Sequence, residues 1–303
     1  MCRVSVVLAT SEIGPALAKC LTSLVDQDPA DNLEIIVAAA AGNDAPDLPV
    51  ASTAVRLLNF PKRTPKPELL KEALLRAGGE IVAVTEPNCC FPPHWVETLR
   101  RAHQSDFTVI GGTVAYGGDE SLCGWACFLA DYGHFLPPQA RRISTLLAGN
   151  HISYKRSALG ETSAYWQSGY VKTLLLWELE RRGKHFLLEP ELILRYAPER
   201  DPWRFARQYY ANGRDFAIAR AEAFSTIQLL GHIISTPMLP ALLLLRRIRG
   251  VWPKREHRSR LLRAVPLIAM FVLSWSAGEL VGYVRARRGR QDGGRASQMS
   301  STL

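Results

Sequence analysis

The chain has 303 residues, of which 47% are apolar and 21% charged, and it carries a formal charge of +9. That apolar content supports a full core and excludes a disordered or fibrous chain, and the length predicts one large or two modest domains. The positive excess suits nucleic acid, anionic lipid or a phosphate-bearing substrate, so its distribution decides among them.

Met1-Cys2-Arg3-Val4 leads straight into a β-like stretch. The charged, apolar and small-residue segments of an export signal are not seen there, which predicts a cytosolic N-terminal part. Val4 to Ala9 reads as a strand, Pro15 to Val25 as a helix with Leu17, Leu21 and Leu24 on one face, and Leu33 to Ala41 as a second strand. A strand at Val55 to Leu58, a helix from Pro67 to Ala77 stopped by Gly78-Gly79, and a strand at Glu80 to Val84 continue the alternation. Such alternation predicts a parallel sheet with helices on both faces and a ligand site beyond the carboxyl ends of the strands. None of the six cysteines forms a Cys-x-x-Cys pair, and Cys123 and Cys127 fit one helix face, so reduced thiols are favoured over zinc.

From Trp95 to Leu188 the pattern loosens, with a helix near His94 to His103, a strand at Phe107 to Thr113 and a helix from Thr173 to Arg182. Pro202 to Arg220 is an amphipathic helix in which Trp203, Phe205, Tyr209, Tyr210 and Phe216 alternate with arginines. It lies either at a headgroup surface or with its aromatics against a core. Phe224 to Leu245 has no charged residue and Ala264 to Val284 has only Glu279. Both are long enough for the roughly 30 Å hydrocarbon layer.

Between those runs, from Arg246 to Arg263, lie eight Lys or Arg residues and one acid, Glu256. This is a juxtamembrane pattern and not a nucleic-acid one, because it flanks apolar runs and lacks interleaved aromatics. Basic residues on all three flanks, with Pro237 and Pro240 near the middle of the first run, predict segments that re-enter or lie in the interface, two ordinary spans being the alternative. The expected division is thus a sheet domain over 1–200, an amphipathic basic and aromatic helix over 201–222, two membrane-embedded segments with a basic linker over 223–290, and a disordered tail over 291–303.

Val4-Ser5-Val6-Val7-Leu8-Ala9-Thr10, then Cys20-Leu21-Thr22-Ser23-Leu24 with Gln27, then Ala77-Gly78-Gly79-Glu80-Ile81-Val82-Ala83, then Trp95 after Pro92-Pro93, and finally Ala148 to Ser157 follow in one order over about 200 residues. This series resembles the family 2 glycosyltransferases. The aromatic helix and Trp275-Ser276-Ala277-Gly278-Glu279 resemble a divergent membrane-associated branch of them. The resemblance implies an α/β fold of the GT-A type, with a nucleotide-sugar-binding sheet flanked by helices on both faces and membrane-embedded helices after it.

It also implies site residues. Where the family carries Asp-x-Asp, this chain has Thr85-Glu86-Pro87-Asn88, so Glu86 and Asn88 become the metal candidates, for Mg²⁺ or Mn²⁺, with one negative charge where the family has two. The donor side falls on Ala9, Thr10, Glu12, Ala39 and Glu86, with Ala39 standing where relatives hold the acid that contacts the nucleoside. The Glu-Asp pair that supplies the base in relatives falls near Val171 and Lys172. His151, with a pKa range suited to a base, is the substitute candidate, beside Glu161 and Glu178; for Glu178 a solvated helix face is the ordinary reading. Lys172 offers a cation that holds a leaving diphosphate without metal. Asp131, Tyr132, Gly149, Asn150 and His151 are the acceptor-side candidates.

Two functions follow. One is a membrane-associated inverting transferase at the cytoplasmic face of an inner membrane, moving a sugar from a nucleotide-sugar to a lipid-linked or polysaccharide acceptor. The other is a noncatalytic subunit of a polysaccharide assembly that works with other assembly proteins. Neither involves nucleic acid.

Overall fold

A computed structural model describes residues 2–25, 27, 32–42, 46–222 and 224–300, with side chains to residue 288. In chain order the elements are β1 Val4–Thr10, α1 Pro15–Val25, β2 Leu33–Ala39, β3 Val55–Asn59, α2 Lys66–Arg76, β4 Ile81–Thr85, β5 Cys89–Cys90, α3 Trp95–Ala102 and β6 Val109–Tyr116. There follow α4 Leu122–Asp131, β7 Arg142–Ile143, β8 Ile152–Lys155, α5 Arg156–Glu161, α6 Ser163–Trp166, α7 Lys172–Arg181 and β9 Phe186–Tyr196. The chain ends with α8 Pro202–Ala221, α9 Thr226–Ser235, α10 Leu239–Val251 and α11 Arg258–Ser300.

These elements form two compact units, one of Met1–Gly117 with Phe135–Ala197, the other of Gly118–His134 with Pro198–Leu303. The expected break at residue 200 lies close to the point, Pro198, where the chain passes into the second unit for the last time. Segment 118–134, with α4, belongs to the C-terminal helices and not to the sheet unit. Its helix is apolar all round, from Trp125 to Ala130, and no amphipathic stripe marks which unit it joins.

In the first unit a nine-stranded sheet runs β3-β2-β1-β4-β8-β6-β9-β5, with β7 paired to β9. The first four strands are mutually parallel. β1 is buried along its whole length and β2 nearly so, because helices cover both faces and a strand in that position reads as a continuous apolar run. Leu17, Cys20, Leu21 and Leu24 of α1, and Leu69, Leu70, Ala73 and Leu74 of α2, are the buried stripes. The parallel sheet expected from the alternation is what β1 to β4 form, and the order changes after Trp95, where the pattern loosens. β8 lies antiparallel to both β4 and β6 because it enters from a loop, without the crossover that a parallel neighbour needs.

β4 is keyed to β1 by a partly buried polar knot. Glu34 accepts from Ser5 Oγ at 2.5 Å, from the Gly79 amide at 3.0 Å and from the Gly78 amide. A Cβ on Gly79 would lie 2.6 Å from the Ser5 amide nitrogen, so only glycine permits this approach.

In the second unit α8 lies along α11 at backbone contact. A Cβ at Gly213 would collide with the Trp275 carbonyl, one at Gly278 with the Tyr210 carbonyl and one at Gly282 with the Arg214 carbonyl. Phe205 and Tyr209 are buried, and Phe205 meets Phe271 edge-on with centroids 4.6 Å apart, so the core alternative for this aromatic helix holds at those positions. Trp203 stays 66% exposed. Glu279 is buried and accepts from Trp275 Nε1 and Tyr283 OH, each at 2.9 Å.

The expected break at Pro237 is a single tight turn, Thr236–Met238, and helix resumes at once. Both prolines occupy first-turn positions, where a missing N–H costs nothing. Thr226–Val251 is thereby one helical stretch of 26 residues and Arg255–Arg288 another of 34, both apolar and long enough to cross a bilayer. Of the tail expected over 291–303, the backbone continues α11 to Ser300, while its side chains and residues 301–303 lie outside the described residues.

Candidate functional site

The carboxyl ends of β1, β2, β3 and β4 share one edge of the first unit, and their following loops interlock there. After β1, Thr10 Oγ1 donates to Glu12 O at 2.6 Å and accepts from the Glu12 amide at 3.2 Å, a local turn that leaves Glu12 exposed. Ala9 and Ala39 are buried, and the Ala40 amide donates to Thr10 O at 2.9 Å. Ala39 thus offers a methyl and no acceptor where relatives have an acid. Asn59 donates to Gly42 O at 2.6 Å, and Gly42, at φ 77°, makes room for the Lys62 stem.

After β4, Glu86 takes a partner that the sequence reading missed. Lys66, the first residue of α2, places Nζ 2.5 Å from Glu86 Oε1. The Glu86 carbonyl accepts from the Cys89 amide at 3.2 Å, and Asn88 closes the turn by donating its side-chain amide to Ala197 O at 2.9 Å. The residues here do not fit a divalent cation well. Glu86 is neutralised by an ammonium, and burial pushes the neighbouring Cys89 thiol up to about 12, so it stays protonated and supplies no thiolate ligand. Among the described residues there is no cluster of three His, Cys, Asp or Glu arranged to hold a metal.

A second loop joins this edge. The Tyr170 amide donates to Pro67 O at 2.9 Å, immediately after Lys66, and Lys172 two residues on donates to Leu147 O at 2.7 Å beside Gly149. Asn150, fully buried, donates to Cys89 Sγ at 3.5 Å. The fold therefore brings Glu86, Asn88, Gly149, Asn150 and Lys172 together, and adds Lys66. Asn150, expected on the acceptor side, is buried and ties its loop to the Cys89 turn.

His151 is also held on both ring nitrogens. It is buried, its Nδ1–H donates to Thr113 O at 2.9 Å, and its Nε2 accepts from Trp95 Nε1 at 2.9 Å. The carbonyl can only accept and the indole can only donate, so the tautomer is fixed and no lone pair remains to take a proton. Burial moves its pKa down to about 4. Glu178 is not a solvated carboxylate either: it is buried between Arg181 at 2.8 Å and Arg182 at 2.5 Å, and the Arg181 bond leads in holding its pKa near about 2. Glu161 pairs with Lys184 at 3.2 Å. Of the acceptor-side candidates, Asp131 ends α4 and accepts from Tyr209 OH, Tyr132 is buried, and both belong to the second unit. The signal that would have found Lys66 is Lys62-Arg63-Thr64-Pro65-Lys66, three cations in five residues directly after a strand.

The fold has solved counterparts. The mannosyltransferase PcManGT from Pyrobaculum calidifontis, determined with GDP-Man and Mn²⁺, is similar at 17% identity and a TM-score of 0.57, over 92% of this chain and 87% of that one. TarS 1-349 of S. aureus is similar at 12% identity and a TM-score of 0.49, over 96% and 92%. No curated protein sequence matches the chain. The family described as Glycosyl transferase family 2 matches residues 5–166, which include β1 to β4, the Glu86 turn and the loop through Asn150. That match covers more than half of the chain, and on it the chain belongs to glycosyl transferase family 2, with the GT-A fold.

Proposed function

We propose that this protein is a membrane-associated inverting glycosyltransferase that moves a sugar from a nucleotide-sugar to a lipid-linked or polysaccharide acceptor. The observation that carries the reading is the family 2 match across the carboxyl edge of the sheet, where the Glu86 turn lies and the loop leading to Lys172 docks on Pro67. In a single displacement the acceptor oxygen bonds to the anomeric carbon as the bond to the distal phosphate oxygen breaks. The electron pair leaves with the nucleoside diphosphate, whose charge Lys172 meets. Val171 and Lys172 hold the place of the family's base, so the hydroxyl proton passes to water.

Membrane attachment is supported by the two long apolar helical stretches and by exposed Ile227, Ile234, Met238 and Leu242 close to the basic run 246–263. The linker is placed on the cytoplasmic side. A cysteine introduced at Ser259, in a background lacking the half-buried thiols Cys2, Cys90 and Cys123, should resist an impermeant maleimide added from outside, and labelling would refute that placement.

A noncatalytic role is favoured by one observation: of the three candidate bases, His151 is saturated and Glu178 and Glu161 are ion-paired. The deciding assay incubates detergent-purified protein with a nucleotide-sugar panel and extracted lipids and measures release of nucleoside diphosphate. Acceptor-dependent release supports the enzyme, and no release by folded protein assigns the noncatalytic role.

A further inference from the structure

Lys66 stands on the carboxylate that would otherwise bind a metal. Its ammonium is 2.5 Å from Glu86 Oε1, with the Lys66 side chain 49% exposed and that of Glu86 20% exposed. The ammonium is thus held by Glu86 on a side chain that remains half exposed. A dication on Glu86 would have to displace that ammonium or lie against it, at a carboxylate whose charge is already balanced. The pair is not an accident of two mobile surface chains. Lys66 opens α2, Glu86 directly follows β4, and the Tyr170 amide pins Pro67 at 2.9 Å, which fixes the backbone beside Lys66.

The same contact carries Lys172 to this edge, and Lys62 packs over Gly42 on the neighbouring loop. Lys62, Lys66 and Lys172 thus all lie on loops or helix starts at this edge, where Ala39 supplies no acid and Glu86 is neutralised. That is an environment for a dianionic or trianionic group in the absence of metal.

We propose that Lys66, held in place by Glu86, is the counter-charge for the diphosphate of the bound nucleotide, and that the chain binds its donor without a divalent cation. This rests on the transferase reading above. Lys66 is the ligand-contacting residue and Glu86 positions it.

The test is calorimetric titration of the detergent-purified full chain with UDP, GDP, CDP and ADP, each in EDTA and in Mn²⁺. At least one should bind in EDTA, with an affinity that Mn²⁺ changes by less than about threefold. Lys66→Ala should weaken that binding by about tenfold or more and Lys66→Arg should restore much of it. Glu86→Gln separates the two accounts by sign: a metal site loses binding, whereas removing a carboxylate beside an anion leaves affinity equal or higher. Binding that appears only with Mn²⁺, loss of binding in Glu86→Gln, or unchanged binding in Lys66→Ala overturns the proposal while leaving the transferase standing. If folded protein binds no diphosphate in either buffer, the donor site itself is refuted and the proposal falls with it.

Discussion

Replacing His151 with alanine distinguishes a structural pin from a catalytic base. The imidazole is buried and ties α3 to β6, accepting from Trp95 Nε1 and donating to Thr113 O, both at 2.9 Å. It packs so closely that a Cβ on Gly112 would strike its ring. Truncation strands the indole N–H, which costs about 1–3 kcal/mol, and the cavity left by the ring adds about 2 kcal/mol more. The sum, about 4 kcal/mol, corresponds to a fall in Tm of roughly 8–16 °C for a unit of this size. Thermal unfolding followed by tryptophan fluorescence measures it directly. A variant that unfolds at the parent's temperature but loses sugar transfer would refute the argument and restore His151 as a base.

Acid should weaken the fold by the same route. Burial depresses His151 from its ordinary 6.5 to about 4, so the unfolded chain takes up the proton first on acidification. Stability is full above pH 6.5 and His151 removes about 3 kcal/mol of it between pH 6.5 and 4, with His103, depressed to about 3, adding to the loss and carrying it on to lower pH; urea midpoints across that range that stay flat would contradict it. Glu34→Ala should cost about 2–4 kcal/mol, because the Ser5 hydroxyl and the Gly78 and Gly79 amides lose their common acceptor, and equilibrium urea unfolding reads the loss. Gly278→Val should separate α8 from α11, seen as faster proteolysis of the C-terminal helices with the sheet unit intact, since any Cβ there meets the Tyr210 carbonyl.

The elements with strong local patterns were legible in the residues. α1 and α2 show apolar positions at helical spacing, β1 and β2 are unbroken apolar runs bounded by turns, and Gly78-Gly79 marks a stop, so β-α-β alternation and its functional edge follow from patterns a few residues long. The family likeness rests on the order of such short pieces. What no local pattern holds is the pairing of residues far apart in the chain. Lys66 meets Glu86 across 20 positions, Trp95 meets His151 across 56, and Asn88 meets Ala197 across 109. β8 turns antiparallel, and α4 joins the second unit. Each of these depends on strand order and on how loops dock. The sequence by itself therefore determined the class of fold and the edge where chemistry belongs, whereas the tertiary structure alone decided that His151 is a buried tie, that Glu178 is ion-paired and that the Glu86 carboxylate already holds a cation, because charge and burial at a site are set by neighbours that only folding brings within hydrogen-bond distance.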